Sequence, residues 1–231
     1  MKKILIAWTV VFFGLGLAGF VAFADADAID LSKKDIVAEI FMEWTQGKSP
    51  KEARISVFEH IRDIPYAIVP ELRDPKVGLK KMLEINKGGC QPKHYLLGLY
   101  FGKLGIPVKY VTYKFQWDDP VIKYPADLER IKKELPAAYH LAVKAQIEGK
   151  WVLVDASWDT PLAKLGLPVN DSWDGVSNTR NAVVPVAEIE HVTQEERYEY
   201  EMGKRGFLSE KDKVHYSKFI KRFNEWIATE R

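Results

Sequence analysis

The sequence predicts an α+β fold, with helices towards both ends of the chain and antiparallel strands between them. Three observations support this prediction. Four helix starts carry capping signals, an apolar helix follows in the middle of the chain, and three extended runs rich in β-branched and aromatic residues come after that helix. Because these runs follow one another without long helices between them, a doubly wound parallel sheet is not expected.

Each capping signal places an acidic residue three positions after a serine or threonine. The pairs are Ser32 with Asp35, Ser49 with Glu52, Thr193 with Glu196, and Ser209 with Asp212. In such a pair the hydroxyl oxygen accepts a free backbone N–H at the helix start, and the acid reaches back to the cap. The helices predicted from these signals span roughly 33–46, 50–63, 193–204 and 210–228.

The last predicted helix carries an apolar stripe on one face. Its members are Val214, Phe219, Ile220, Phe223, Trp226 and Ile227. A stripe at helical spacing is typical of a helix that docks onto the core. We therefore expect this helix to pack against the body of the protein.

A fifth helix is predicted over residues 91–104, and apolar side chains cover most of its circumference. A helix of this kind is expected to be buried in the centre of the domain. The strands are predicted at 108–115, 140–147 and 151–156, and the last two are joined by a hairpin turn at 148–150. Residues 116–138 and 157–182 are expected to be irregular.

The first 24 residues have the pattern of a secretory signal peptide. Lys2 and Lys3 precede a long uncharged run, and Ala22-Phe23-Ala24 is a small-x-small cleavage signal. The run is also long enough to span a bilayer, so an uncleaved membrane anchor is the alternative. In either case we expect the rest of the chain to be exported, in a periplasmic, cell-surface or extracellular location.

The charge balance excludes some partners. Lys and Arg number 34 and Asp and Glu 32, so the net charge is +2. No basic run is dense enough to indicate nucleic-acid binding. Membrane contact is expected only through the N-terminal segment, and the sequence favours no particular oligomeric state.

Cys90 is the one cysteine of the chain. An oxidising compartment favours disulfides, but a single cysteine cannot form one within the chain. The options are a buried inert thiol, an intermolecular bridge, a metal ligand or a nucleophile. Cys90 lies at the predicted start of the buried helix, where free N–H groups and the helix dipole lower a thiol pKa. We expect Gly88 and Gly89 to keep the approach open and the Cys90 N–H to be one oxyanion donor.

A cysteine nucleophile needs a base, and the base needs an orienting group. His140 begins one predicted strand and Asp155 ends the next, so the hairpin should bring them together at one end of the sheet. If this end meets the helix start, Cys90, His140 and Asp155 form a triad. The alternatives are three ordinary structural residues, or a zinc site that also uses His94, which lies one helical turn after Cys90.

Aromatic residues flank the predicted site and could line a substrate groove. They are Tyr113, Phe115, Trp117, Tyr124, Trp158 and Trp173. Core positions are an equally good interpretation of these residues. Three nearby acids, Asp118, Asp119 and Asp159, would favour a cationic substrate if they faced the groove.

Four segments carry a resemblance to a known family. They are ISVFEHIRDIPYAIV from Ile55, GGCQPKHYLLGLYFGKLGIPVKYVTY from Gly88, YHLAV from Tyr139 and GKWVLVDASWD from Gly149. Together they resemble the transglutaminase-like core of the papain-like cysteine enzymes, over roughly residues 50–160. The resemblance implies a cysteine-bearing helix packed against an antiparallel sheet.

By this resemblance Cys90 is the nucleophile, His140 the base and Asp155 the orienting residue. The chain departs from the family pattern after the histidine, where HLAVKAQ lacks the aromatic and acidic residues that often follow. The calcium-binding apparatus of some animal crosslinking members is not recognisable. The second oxyanion donor is open between Gln91, Asn86 and Tyr66.

The residues and the resemblance together predict an exported cysteine acyl-transfer enzyme that acts on peptide or carboxamide bonds of a peptide or protein substrate through a thioester. Hydrolysis is favoured over crosslinking, because excluding water needs additional architecture. A transglutaminase-type crosslinker and a non-catalytic envelope binding module are the alternatives. No cofactor or metal is expected. The predicted segments are an N-terminal helical segment (25–49), a catalytic domain (50–190) and a C-terminal helical extension (191–231).

Overall fold

The computed structural model describes residues 35–231, which form one compact unit. The predicted signal segment 1–24 and the predicted cap Ser32 lie outside the described residues. The helices are α1 (Ile36–Thr45), α2 (Pro50–Asp63), α3 (Pro75–Ile85), α4 (Cys90–Lys103), α5 (Ala126–Lys132), α6 (Gln194–Gly206) and α7 (Glu210–Thr229). The strands are β1 (Val108–Phe115), β2 (Ala138–Ile147), β3 (Lys150–Val154) and β4 (Pro185–His191). No helix within residues 35–231 combines the length and the apolar character that crossing a membrane requires.

The four strands form one antiparallel sheet in the order β3-β2-β1-β4. The turn between β2 and β3 has two residues, Glu148 and Gly149, with φ angles of 51° and 79°. Positive φ at both positions is the geometry of a tight hairpin that matches the twist of the strands. The α+β class predicted from the sequence is therefore confirmed, and the predicted hairpin begins at the expected residue.

Local capping signals set most of the helix boundaries. The reciprocal capping boxes predicted at Ser49, Thr193 and Ser209 are all present. The start predicted for the first helix was wrong. Asp35 is itself the N-cap of α1, and its carboxylate accepts a hydrogen bond from the Val37 N–H at 3.1 Å.

Three elements were missed in the sequence. The helix α3 begins at the Asp74-Pro75 dipeptide, where the Asp74 carboxylate caps the Lys76 N–H. The short helix α5 lies within the stretch expected to be irregular. The edge strand β4 was missed because its residues are exposed except for the last one, and a strand without a buried face shows no alternation of apolar and polar residues.

The helix α4 is central, as predicted, and packs against α2, α3 and β2. Leu99 is its one exposed large apolar residue. Gly98 lets the helix approach the sheet closely, because a Cβ at this position would lie 2.4 Å from the Tyr110 hydroxyl oxygen. The middle of α4 thus packs closely against β1 of the sheet.

The helix α7 docks onto the body through Phe219, Phe223, Trp226 and Ile227, which are all buried. Val214 was assigned to the same stripe but is 51% exposed. The buried side chains of α7 pack into an aromatic cluster with residues of the loops after β1 and β3. This helix therefore forms one wall of the cavity at the start of α4.

Candidate active site

Cys90 is the first residue of α4, and the residue before it, Gly89, offers no side-chain cap. Gly88 and Gly89 were expected to keep the approach to the thiol open, but both are buried and pack closely instead. A Cβ at Gly88 would lie 2.6 Å from the Met82 sulfur, and one at Gly89 would lie 3.2 Å from the Ala67 carbonyl oxygen. The glycines thus allow the backbone before Cys90 to pair with the 65–67 segment.

The thiol lies in a cavity of about 60 Å³ that opens beside the start of α4. His140 of β2 also lines this cavity. The His140 Nε2 atom is 2.8 Å from Oδ2 of Asp155, which directly follows β3. The Cys90 thiol interacts with the His140 side chain, so the structure brings the three predicted site residues together in the order Cys90, His140, Asp155.

Charge interactions outweigh burial in this group. Burial by itself would raise the pKa of Cys90, but the hydrogen bond and charge of His140 bring it below its ordinary value. Burial would likewise lower the pKa of His140, yet Asp155 and Cys90 raise it to about 10. Asp155 has a pKa well below its usual range, because the imidazolium offsets its burial. The lowered pKa of Cys90 and the raised pKa of His140 both favour the thiolate–imidazolium pair over the neutral pair.

Asp155 has further donors that sequence reasoning did not identify. Its Oδ1 atom accepts hydrogen bonds from the Ser157 N–H at 3.1 Å and the Ser157 hydroxyl at 2.7 Å. Its Oδ2 atom accepts the Ala182 N–H at 2.8 Å in addition to His140. Ser157, two residues after the aspartate, was visible in the sequence as a local turn signal, whereas Ala182 was not.

His94 has a definite structural role. The N–H of Ala156 donates to its Nε2 atom at 3.0 Å, so Nε2 carries the lone pair and Nδ1 carries the proton. That Nδ1–H donates to the Cys90 carbonyl oxygen at 2.8 Å. Burial lowers the pKa of His94, which agrees with a neutral ring. His94 therefore ties the first turn of α4 to the residue that follows Asp155.

This arrangement argues against the zinc alternative. Both ring nitrogens of His94 are used by backbone groups, so the ring has no lone pair directed at the thiol. Within the part of the chain that the structure describes, no group of three or more His, Cys, Asp or Glu side chains is placed to hold a metal ion. The ring of His94, one helical turn after Cys90, is instead used for hydrogen bonds with backbone groups.

Lys93 was also missed, and it is fully buried. Its ammonium donates to the carbonyl oxygens of Arg62 at 2.8 Å, Ile64 at 2.9 Å and Ser157 at 2.6 Å. Burial lowers the pKa of Lys93 to about 7, and nearby carboxylates limit the fall. A lysine in the first turn of a helix predicted to be buried was the available signal, since a buried lysine requires several acceptors.

Tyr66 is the one of the three suggested oxyanion donors that contacts the cysteine. Its buried hydroxyl lies beside Cys90 in the cavity lining and interacts with the Cys90 backbone N–H and thiol. Burial and the charge of Cys90 raise the pKa of Tyr66 well above its ordinary value, so the hydroxyl keeps its proton. Gln91 lines the cavity, whereas Asn86 is exposed in the left-handed region at the end of α3 and lines a different cavity.

The aromatic residues divide between the cavity and the core. Phe115, Trp117 and Trp158 line the cavity, while Tyr113 stacks near the His140 ring at 6.3 Å between centroids. Tyr124 and Trp173 lie in the hydrophobic core instead.

The three acids that could have favoured a cationic substrate do not line the cavity. Asp159 is buried, where its carboxylate pairs with Arg231 at 2.8 Å and accepts the Tyr66 N–H. Neither Asp118 nor Asp119 lines the cavity. The structure therefore gives no acidic side chain to which a cationic substrate could bind beside Cys90 within residues 35–231.

Comparison with known proteins gives little further information. No protein-family model matches the chain, and no curated protein matches it. Among solved structures it is similar to a "Putative Cysteine Protease from Cytophaga hutchinsonii", with 14% sequence identity and a TM-score of 0.37. The match covers 67% of this chain and 49% of that chain, so this chain spans about half the length of that structure. At this level of similarity the function has to be inferred from the site itself.

The role of His94 can be tested by removing its hydrogen bonds. In a His94→Leu variant the Cys90 carbonyl and the Ala156 N–H lose their buried partner, and each loss costs about 1–3 kcal/mol. We expect the free energy of unfolding in urea to fall by roughly 2–5 kcal/mol. His215→Leu, at a partly exposed ion pair, is the control and should change stability by less than about 1 kcal/mol. Equal effects of the two substitutions would contradict this role.

Proposed function

We propose that the chain is an exported cysteine acyl-transfer enzyme with a transglutaminase-like, papain-like core, and that it hydrolyses peptide or carboxamide bonds. The observation that supports this most directly is the contact of the Cys90 thiol with a histidine whose other ring nitrogen is 2.8 Å from a buried carboxylate. The thiol also lies at the N-terminus of a buried helix, where thiolates are stabilised. Export is proposed on the signal pattern of residues 1–24.

In the first step, the Cys90 thiolate attacks the carbonyl carbon of the scissile bond. A C–S bond forms, and the carbonyl oxygen takes the negative charge of a tetrahedral intermediate. The His140 imidazolium then donates its proton to the leaving nitrogen as the C–N bond breaks, leaving a thioester on Cys90. Asp155 holds the ring and stabilises its charged form before this transfer.

The oxyanion of this intermediate needs donors beside the thiol. The Cys90 N–H is one, because it lies at the start of α4. The Tyr66 hydroxyl contacts this same N–H, so it occupies a place next to the expected oxyanion. We assign Tyr66 as the second donor, acting through a hydroxyl that burial keeps protonated.

In the second step, water attacks the thioester carbonyl carbon while His140, now neutral, takes a proton from the water. The C–S bond breaks, a carboxylic acid leaves, and the thiolate–imidazolium pair is restored. An amine in place of water would give an isopeptide crosslink instead. Hydrolysis is favoured because the cavity continues to Arg205, whose side chain is 27% exposed, so solvent reaches the site.

A non-catalytic binding module is a poorer interpretation of the site. The imidazole and the carboxylate are buried and the thiol is partly buried, so their charges lie in the protein interior, where charges are costly unless they are paired. A binding module gains nothing from a thiol whose pKa is lowered. The charge pair is instead what a nucleophile requires.

Activation of the thiol can be measured by alkylation with iodoacetamide across a range of pH. In the wild type, the rate should reach half its maximum below the ordinary thiol pKa of about 8.5, and should remain high up to the pKa of His140, which is about 10. In His140→Ala the largest interactions that lower the thiol pKa are lost, and we expect the rate at pH 6 to fall by about tenfold or more. His215→Ala should keep the wild-type profile. Coincident profiles for wild type and His140→Ala would falsify the activated nucleophile.

The role of Tyr66 separates oxyanion chemistry from thiol reactivity. Loss of one oxyanion donor typically lowers kcat by about 10²–10³-fold, and we expect this for Tyr66→Phe on a peptide substrate. Alkylation by iodoacetamide forms no oxyanion, so its rate should stay within about threefold of the wild type at a pH where the thiol is fully ionised. A parallel loss in both assays would show that Tyr66 acts on the thiol and not on the oxyanion.

The reaction outcome can be decided with a mixture of glutaminyl and other peptides in the presence of a lysine-like amine, with Cys90→Ala as the blank. Mass spectrometry should detect cleaved or deamidated peptides, since water is in large excess at an open site. Peptides that carry the amine as the main product would instead establish crosslinking. No Cys90-dependent change in any peptide would favour the binding module.

A further inference from the structure

A continuous groove leads away from the cysteine, and its charge is one-sided. The cavity that holds Cys90 and a neighbouring cavity share Arg73, Arg205, Tyr216 and Ile220 in their lining. Lys213 lines the second cavity. Among residues 35–231, no aspartate or glutamate lines either cavity, although the whole chain is close to neutral. We call these two joined cavities the arginine groove.

Arg73 is the unpaired member of the arginine groove. It is half-buried at the end of the 3₁₀ turn Pro70–Leu72, and within residues 35–231 its guanidinium has neither a hydrogen bond nor an ion pair. Burial lowers the pKa of Arg73, and the positive charge of Arg205 lowers it further. An arginine remains charged in proteins, so its five N–H donors, in a fork that fits a carboxylate, find no acceptor among the residues that the structure describes.

The neighbouring carboxylate is already shared between two other arginines. Glu201 is buried, its Oε1 atom is 2.6 Å from Nε of Arg205, and its Oε2 atom is bonded to Arg197. One carboxylate therefore faces three guanidinium groups when Arg73 is included. Glu71 also attracts Arg73, but it is exposed to solvent and does not line the groove. The groove keeps an excess of positive charge next to the thiol.

We propose that the arginine groove binds a carboxylate of the substrate, so that the enzyme acts on an acyl group or peptide with an anionic group close to the scissile bond. Arg73 supplies the main contact and Arg205 adds a second positive charge. The carboxylate is either a free chain terminus or an acidic side chain, since both present the same two oxygens. This inference rests on the proposed function, because it takes Cys90 as the nucleophile.

Two alkylating reagents test the site without a known substrate. Iodoacetate and iodoacetamide both form an S–C bond with the thiolate and release iodide, but only iodoacetate carries a carboxylate. The measured quantity is the rate of Cys90 alkylation by iodoacetate divided by the rate with iodoacetamide, at low ionic strength. In Arg73→Met we expect this ratio to fall by about tenfold, the range for a hydrogen bond to a charged group. Arg130→Met changes an exposed arginine outside the groove and should keep the wild-type ratio.

The two reagents also distinguish the failure of this inference from the failure of the proposed function. The iodoacetamide rate alone reports activation of the thiol, and a thiol without activation would reject the proposed function. An activated thiol whose iodoacetate ratio is the same in wild type and Arg73→Met would overturn the carboxylate site. Arg73→Lys keeps the positive charge, and its ratio of iodoacetate to iodoacetamide rates should lie between those of the wild type and Arg73→Met.

Peptide substrates then identify the source of the carboxylate. Paired peptides differ only in a free or amidated C-terminus, or only in Glu or Gln next to the scissile bond. We expect kcat/KM to be about tenfold higher for one acidic member, and this preference to disappear in Arg73→Met. A preference for the free terminus assigns the site to a chain end, and a preference for Glu assigns it to a side chain. Equal rates within both pairs would overturn the proposal.

Discussion

The site depends on one buried carboxylate, that of Asp155, whose side chain has no solvent exposure. A charge that leaves water is stable in a protein only when donors replace its hydration. Here four donors do so, from His140, from the backbone and hydroxyl of Ser157, and from the Ala182 N–H. They come from β2, from the turn after β3 and from the segment before β4. The carboxylate therefore fixes the base and the loops around it in a single arrangement.

Three side chains in the first turn and a half of α4 hold the helix start close to this carboxylate. Cys90 provides the thiol, His94 links the Cys90 carbonyl to the Ala156 N–H, and Lys93 binds three carbonyls from two separate segments. A helix is stiff, so these contacts fix its rotation about its own axis as well as its position. The sulfur is consequently held towards His140.

The parts of the fold that the sequence predicts well are those encoded locally. Ser49, Thr193 and Ser209 define helix starts through atoms three residues away, and the Glu148-Gly149 turn sets the alignment that places His140 near Asp155. The edge strand β4 was missed because a strand exposed on both faces has no hydrophobic pattern.

Like β4, the arginine groove could not be predicted from the sequence of any one segment. Arg73 belongs to a 3₁₀ turn and Arg205 to α6, and each is an ordinary charged residue in its own segment. Only the docking of α7, which contributes Tyr216 and Ile220, makes them line one cavity with Cys90. Similarly, the acidic residues Asp118, Asp119 and Asp159 lie near the triad in sequence but do not line the cavity, because adjacency along a loop does not fix the direction of a side chain.

The positive charge beside Cys90 has two consequences that oppose each other. Arg197 is fully buried under β1, and its charge helps to lower the pKa of the Cys90 thiol. The same field attracts a carboxylate, and hydrolysis of a thioester creates a new carboxylate at the sulfur. A completely buried arginine pair would hold this product, whereas Arg73 is half-buried and Arg205 is 27% exposed, so solvent and salt weaken their attraction. Under the proposed function, partial exposure of these two arginines would allow the substrate to be bound without trapping the acid that the reaction releases.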